Sequence, residues 1–219
     1  MQEVVSRFFA LPAYGVGALM VILLYALQAE IRFGPRARSM RGGSFDRWST
    51  VVLALAAQLP ILSFVLAMKA SQPGAISSAI PGWVRDAALP GLPVTAWLGV
   101  FIALCGLALR LCAVMRLRER YTRTLLVQHQ HAMELRGPYR WVRHPGYLGS
   151  LLFLNGVALS SGNWIALLLS VPVTFAAYGY RIKVEDEMMM TAFGSAYAQY
   201  RLRVRALIPG VRAFRQPVA

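Results

Sequence analysis

The sequence predicts an all-α integral membrane protein of five transmembrane helices, the last two forming a helical hairpin, followed by a cytosolic C-terminal amphipathic helix. Three observations carry this prediction. Of 219 residues, 57% are hydrophobic and only 15% are charged, a balance outside the range of ordinary soluble domains. The apolar residues run in long blocks and not in stripes at helical spacing, the pattern of helices bathed in lipid. The cations, which leave a formal net charge of +14, collect in the gaps between blocks.

Taken in order, the first apolar segment covers about 11–29 and closes on "EIRFGPRARSMRGG". No basic n-region or A-x-A-like cleavage site marks it as a removable signal, so it is expected to stay as a span. The second covers about 48–68 with Pro60 inside it, a position for a kink. A Gly/Pro/Ser-rich connector, "SQPGAISSAIPGWVRDAALPGLP", leads to the third at about 94–114. The fourth and fifth, about 148–159 and 164–179, are joined only by "SSGN", short enough to force an antiparallel hairpin. Both fall short of the ~20 residues a lone span needs. Pro145 suits the first turn of a helix, so the fourth helix is expected to begin inside the preceding loop.

Lysine and arginine counts orient the chain. Residues 30–47 hold five, residues 110–147 hold eight and residues 181–219 hold seven, whereas residues 1–10 hold one and residues 69–93 two. Alternation then places the N-terminus outside and the C-terminus in the cytosol of a cytoplasmic, inner-membrane, multi-pass protein. The same distribution argues against a nucleic-acid partner, since the basic runs border apolar blocks and do not form a separate patch; anionic membrane lipids are the expected partners of these cations. After the fifth span, Met189, Met190, Phe193, Tyr197 and Tyr200 recur at helical spacing while Arg201, Arg203 and Arg205 gather at the end. This predicts an interfacial amphipathic helix, then an extended exit at Ile208-Pro209. The chain divides into 1–130, three N-terminal helices with their loops, and 131–219, a loop, the hairpin and the C-terminal helix.

Several chemistries find no footing. Paired glycosidase-type carboxylates, a nucleophile elbow and a P-loop are missing. Cys105 and Cys112, seven apart in one apolar block, would lie roughly 10 Å apart on a helix, too far for a disulfide. His129, His131 and His144 have no acid or cysteine at ligand spacing, so no metal is expected.

Two polar clusters remain. The first is "GPYRWVRHPGYLG", 137–149, with Arg140, Arg143, His144, two prolines, three glycines, two tyrosines and a tryptophan. The second is Arg181, Glu185, Asp186 and Glu187. A hairpin returns the chain to the side it left, so the two clusters become neighbours at one membrane face. Simpler readings exist for the parts. Arg181 and Glu185 at i,i+4 make an ion pair worth about 0.2–0.5 kcal/mol; Tyr139, Trp141 and Tyr147 make an aromatic belt; Arg140 and Arg143 make snorkelling anchors. The fixed order of special residues in the first cluster exceeds what an anchor requires.

The run from His131 through "GPYRWVRHPGYLG", joined behind the hairpin to "R-x3-ED" and "FG-x2-Y-x2-Y", resembles the isoprenylcysteine carboxyl methyltransferase family and its phospholipid methyltransferase relatives. The likeness covers 131–209. It implies S-adenosylmethionine as cofactor, bound at the cytosolic face between the loop and the helix after the hairpin, and a lipophilic small-molecule acceptor entering from the bilayer. Carried over by position, it places cofactor contacts on His131, Ala132, Met133, Glu134, Tyr139, His144, Pro145, Gly146 and Tyr147, and it places Arg181 and Glu185 near the reacting end. The chain departs from the family's usual pattern in having "AMEL" after His131 and Asp186 where a second Glu is usual.

The chemistry of the residues fits that implication. Arg143 and His144 suit the cofactor's carboxylate, Glu185 an ammonium or ribose hydroxyl, and tyrosine faces an adenine or sulfonium. A carboxylate acceptor would need Arg181 to hold it, whereas an amine or thiol would need Glu185 as a base. A phospholipid amine, a small thiol and a non-catalytic ligand-binding role stay open alongside the carboxylate.

Overall fold

A computed structural model describes residues 46–70, 79–91, 94–117 and 133–209. The first expected span, His131 and Ala132 lie outside the described residues. Five α-helices account for most of the rest: α1 (Ser49–Ala70), the single turn α2 (Gly82–Arg85), α3 (Val94–Leu117), α4 (Pro145–Ser160) and α5 (Trp164–Arg203), with a 3-10 turn at Gly137–Arg140 before α4. Among the described residues α3 and α5 are long and apolar enough to cross a membrane. Both leave large apolar side chains on their outer faces, Trp97, Leu98 and Phe101 on α3 and Leu168, Leu169 and Phe175 on α5. An exposed belt of this kind is what a lipid-facing surface requires.

α1 and α3 occupy the apolar blocks within a few residues of the expected ends, and α1 continues through Pro60. α4 begins at Pro145. Its 16 residues span about 24 Å at 1.5 Å per residue, less than a ~30 Å hydrocarbon core.

α3 and α4 pack with their backbones in contact. A Cβ added at Gly106 would stand 2.5 Å from the Gly149 carbonyl oxygen, and one at Gly99 would stand 2.7 Å from that of Gly156. The converse holds at Gly149 and Gly156, where an added Cβ would lie 2.6 Å from backbone of α3. Small residues at such a crossing let two helices approach where lipid offers no hydrophobic drive between them. Gly146 is different: an added Cβ would meet only the Ala113 methyl at 3.9 Å. The core between the helices is filled by Val100, Ala103, Leu107, Leu151, Phe153, Leu154, Val157 and Tyr178. α4 and α5 are joined midway by Asn155 Nδ2, which donates to Thr174 Oγ1 at 3.1 Å.

The hairpin turn is tied down from outside. Asn163 caps α5 by accepting from the amides of Ile165 and Ala166, and its Nδ2 donates to the Val84 carbonyl at 2.8 Å. Backbone bonds from Trp164 to Ala87 and from Leu89 to Gly162 complete the seal.

Beyond the hairpin the structure differs in form from the expected separate interfacial helix. α5 runs on to Arg203, interrupted at Gly194, whose φ of 54° and ψ of −126° lie outside the helical region. Nothing lies within 4 Å of where a Cβ would be, so glycine is required there by backbone conformation and not by space. The bend turns the last stretch inward. Met189, Met190 and Phe193 pack with Tyr197, Tyr200 and Val204 and with Met133 and Leu135 from the loop before α4. The periodic apolar residues are therefore satisfied largely within the protein.

Candidate active site

Four segments converge at the end of the hairpin opposite Asn163: the entry to α1, the loop and first turn of α4, the middle of α5, and the residues after Gly194. The two clusters read from the sequence meet here, joined by His144 Nε2 to Asp186 Oδ1 at 3.0 Å and by Arg181 Nε donating to the Tyr147 hydroxyl at 3.0 Å.

His144 owes its position to backbone on both sides. It is the residue before α4, and its carbonyl accepts from the amides of Tyr147 and Leu148. Its own amide donates to the Ala206 carbonyl, as that of Arg143 does to Arg205. The segment after α5 thus pins the loop. His144 is 6% exposed and its ring stacks on Tyr147, 5.4 Å between centroids and 11° between planes. With Nε2 on Asp186, the other ring nitrogen, Nδ1, faces Glu185 Oε2 at 3.7 Å.

Asp186 organises the cluster. Its oxygens meet His144, the Arg143 guanidinium at 2.9 Å and the hydroxyl of Tyr197. Burial pushes its carboxyl upward, but the hydrogen bonds from His144 and Tyr197 and the charges of His144 and Arg143 outweigh that, leaving it at about 2. The same carboxylate, with burial as the larger cause, drives the Tyr197 hydroxyl well above its ordinary range. Arg143, expected as a cofactor ligand, spends its terminal nitrogens on Asp186 and on the carbonyls of Arg201 and Val204. Its Nε is buried without a partner among the described residues.

Arg181 is 2% exposed. Its Nη1 donates to Asp46 Oδ1 and Ser49 Oγ, both at 2.7 Å, and to Thr50 Oγ1 at 3.0 Å. Sequence reasoning missed this seat. Asp46 sits at the head of α1, where Ser49 and Thr50 also hydrogen-bond to its carboxylate. Burial raises the Asp46 carboxyl, but bonds from Thr50 and Arg181 and the Arg181 charge bring it below the usual carboxylate value. One signal was available: "FDRWST" places an acid at the end of a strongly cationic gap, on the side assigned to Arg181.

The remaining expected residues lie farther out. Tyr139 is on the 3-10 turn, where its carbonyl accepts from the Tyr200 hydroxyl. Met133 belongs to the Tyr197–Tyr200 cluster, and Glu134 accepts from the Arg136 amide beside Arg116. Pro145 and Gly146 form the first turn of α4. No group of three metal-ligating side chains occurs among the described residues.

Glu185 Oε2 is buried and has no hydrogen-bond partner among the described residues. A buried carboxylate oxygen without a donor is costly, and this one lies next to the His144–Tyr147 stack.

This geometry can be set beside known proteins. Residues 97–191, from α3 through the Arg181–Glu187 stretch, match the family model of the isoprenylcysteine carboxyl methyltransferases. Over that stretch the chain is similar to that family. Among its relatives, the protein-S-isoprenylcysteine O-methyltransferase of Schizosaccharomyces pombe is 34% identical over 79 residues, 36% of this chain and 34% of that one. The enzyme of the same name from Tribolium castaneum is 24% identical over 146 residues, 64% of this chain and 52% of its own. The chain thus spans between about a third and about half of the length of these relatives. In three dimensions it matches the eukaryotic intramembrane Ras methyltransferase of the family with a TM-score of 0.66 at 19% identity, over 95% of this chain and 71% of that one. That likeness establishes a shared fold.

Proposed function

We propose that the protein is a membrane methyltransferase that uses S-adenosylmethionine to methylate the carboxylate of a small lipophilic, isoprenylcysteine-like acceptor at the cytosolic membrane face. The observation that carries this reading is the buried Glu185 Oε2, which has no hydrogen-bond partner among the described residues and lies beside the stacked His144 and Tyr147, inside the segment that matches the family. S-adenosylmethionine supplies, when bound, a methyl group activated on a sulfonium.

The residues fit such a ligand. Glu185 offers an unsatisfied acceptor to an ammonium or hydroxyl, and Tyr147 offers an aromatic face to a cation. His131 to Glu134, Tyr139 and His144 to Tyr147 would form the cofactor's wall. Asp186, Arg143 and Tyr197 hold that wall in place, so their contribution is to orientation. Arg181 would hold the acceptor carboxylate, which is already nucleophilic at neutral pH and needs no base. The cation count favours a cytosolic position for this end, and the outward apolar faces of α3 and α5 are consistent with an acceptor that arrives through lipid.

Titration calorimetry of the purified protein with S-adenosylmethionine or its demethylated product checks the site. Glu185→Ala and His144→Ala should each weaken binding by about 100-fold or more, the loss of roughly 3 kcal/mol of charge-assisted bonding. Unchanged affinity in both variants overturns the assignment. Radiolabelled methyl transfer should enter prenyl-cysteine acids; label found only in phospholipid or small thiols would reassign the acceptor.

A further inference from the structure

Arg181 poses a charge problem. A methyl transfer to a carboxylate forms a bond between a carboxylate oxygen and the methyl carbon, while the carbon–sulfur bond of the sulfonium breaks and its electron pair stays on sulfur. The acceptor's negative charge and the donor's positive charge both disappear. A buried guanidinium that relied on the acceptor as its counter-ion would be stranded once the ester formed, and a stranded buried charge is strongly unfavourable.

The entry to α1 removes this difficulty. Asp46 Oδ1 lies 2.7 Å from Arg181 Nη1, with side-chain exposures of 10% and 2%. Ser49 and Thr50 donate to or accept from the same two groups. The neighbouring contacts brace the seat: the Tyr180 hydroxyl donates to the Arg47 carbonyl at 2.8 Å, and Arg47 pairs with Glu187 at 2.7 Å.

We infer that Asp46 is the permanent counter-ion of Arg181, a positioning residue that keeps the guanidinium paired before and after methyl transfer, so that the acceptor carboxylate meets a neutral pair and not a bare cation. The inference rests on the carboxylate-acceptor reading above. It makes α1, for which the sequence suggested no role, part of the site. It also explains how product leaves: a neutral ester departs from a pair that is already balanced.

The test compares binding of an S-prenyl N-acetylcysteine with that of its methyl ester, using the purified full chain. In Asp46→Asn the charge is lost and the shape kept. The preference for acid over ester should rise about tenfold or more, because the acid becomes the guanidinium's counter-ion. In Asp46→Glu, which keeps the charge, the preference should stay within about twofold of the parent even if both affinities fall. A preference unchanged or lowered in Asp46→Asn overturns the inference and reduces Asp46 to a structural contact. Should that variant not fold, the double change Ser49→Ala and Thr50→Ala removes neutral partners only, and a shift in preference there is equally fatal. A parent protein that binds S-adenosylmethionine but neither probe defeats the acceptor reading and the inference with it. Binding of the acid with an unresponsive preference defeats the inference alone.

Discussion

The two ends of the α4–α5 hairpin are both fastened to another part of the chain, by opposite chemistry. At the Asn163 end a neutral amide caps α5 and reaches Val84, and backbone groups of 87–89 pair with those of 162–164. At the Arg181 end the fastening is ionic: Arg181 to Asp46, Arg143 and His144 to Asp186. Neutral saturated bonds hold a turn and ask nothing further. Buried charges are a costly way to hold anything, and here they leave Glu185 Oε2 and Arg143 Nε without hydrogen-bond partners among the described residues. The difference supports the reading of the ionic end as the candidate site, while the neutral end serves the fold.

Mutations test this contrast between the two ends. The largest effect should come from Asp186→Ala, which strands Arg143 and removes the acceptor for His144 and Tyr197. A loss of about 3–5 kcal/mol is expected from leaving one member of a buried pair alone, read as a lowered thermal midpoint in detergent. Asn163→Ala at the other end should cost about 1 kcal/mol, the value of a helix cap, and leave affinity for S-adenosylmethionine unaltered. If it weakens binding as much as changes at the Arg181 end do, the division between the ends is wrong. The smallest effect belongs to Arg47→Ala. That residue's pair with Glu187 is exposed on both sides, 56% and 42%, so about 0–1 kcal/mol is expected, falling with added salt.

Acid should separate the ends as well. Asp186 is depressed from 3.8 to about 2, so its contribution is complete above 3.8 and is lost as pH falls through about 2. The stability gap between the parent and Asp186→Asn should therefore be constant from neutral pH down to about 5 and close between 3.8 and about 2. The Asn163→Ala increment has no ionisable partner and should not follow that curve. Thermal unfolding across the pH series measures both.

What was legible in the sequence follows from the range of each signal. Apolar blocks marked α1 and α3, and Pro145 marked the start of α4, because length and local backbone preference lie within one segment. The meeting of His144 with Asp186 was legible because "SSGN" permits only a tight return. The Asp46–Arg181 pair was not, since it bridges 135 positions and depends on how α1 leans against α5, which no periodicity encodes. Gly194 was hidden differently. The apolar spacing of Phe193, Tyr197 and Tyr200 continues across it, so the pattern reads as one helix while the backbone turns. That turn is why Tyr197 reaches Asp186 and why residues expected at a lipid surface pack on Met133 instead.

The glycines of α3 and α4 have a consequence for height. Gly99 and Gly106 are seven apart, as are Gly149 and Gly156, and they meet in antiparallel order. Sliding one helix by a turn would bring a side chain against backbone at both crossings, so the pair has a single stable registration, like a key with two notches. His144 stands five residues before Gly149, about 7.5 Å along the axis. The notches therefore act as a gauge along the α3–α4 pair, fixing how far beyond the second crossing the stacked histidine sits.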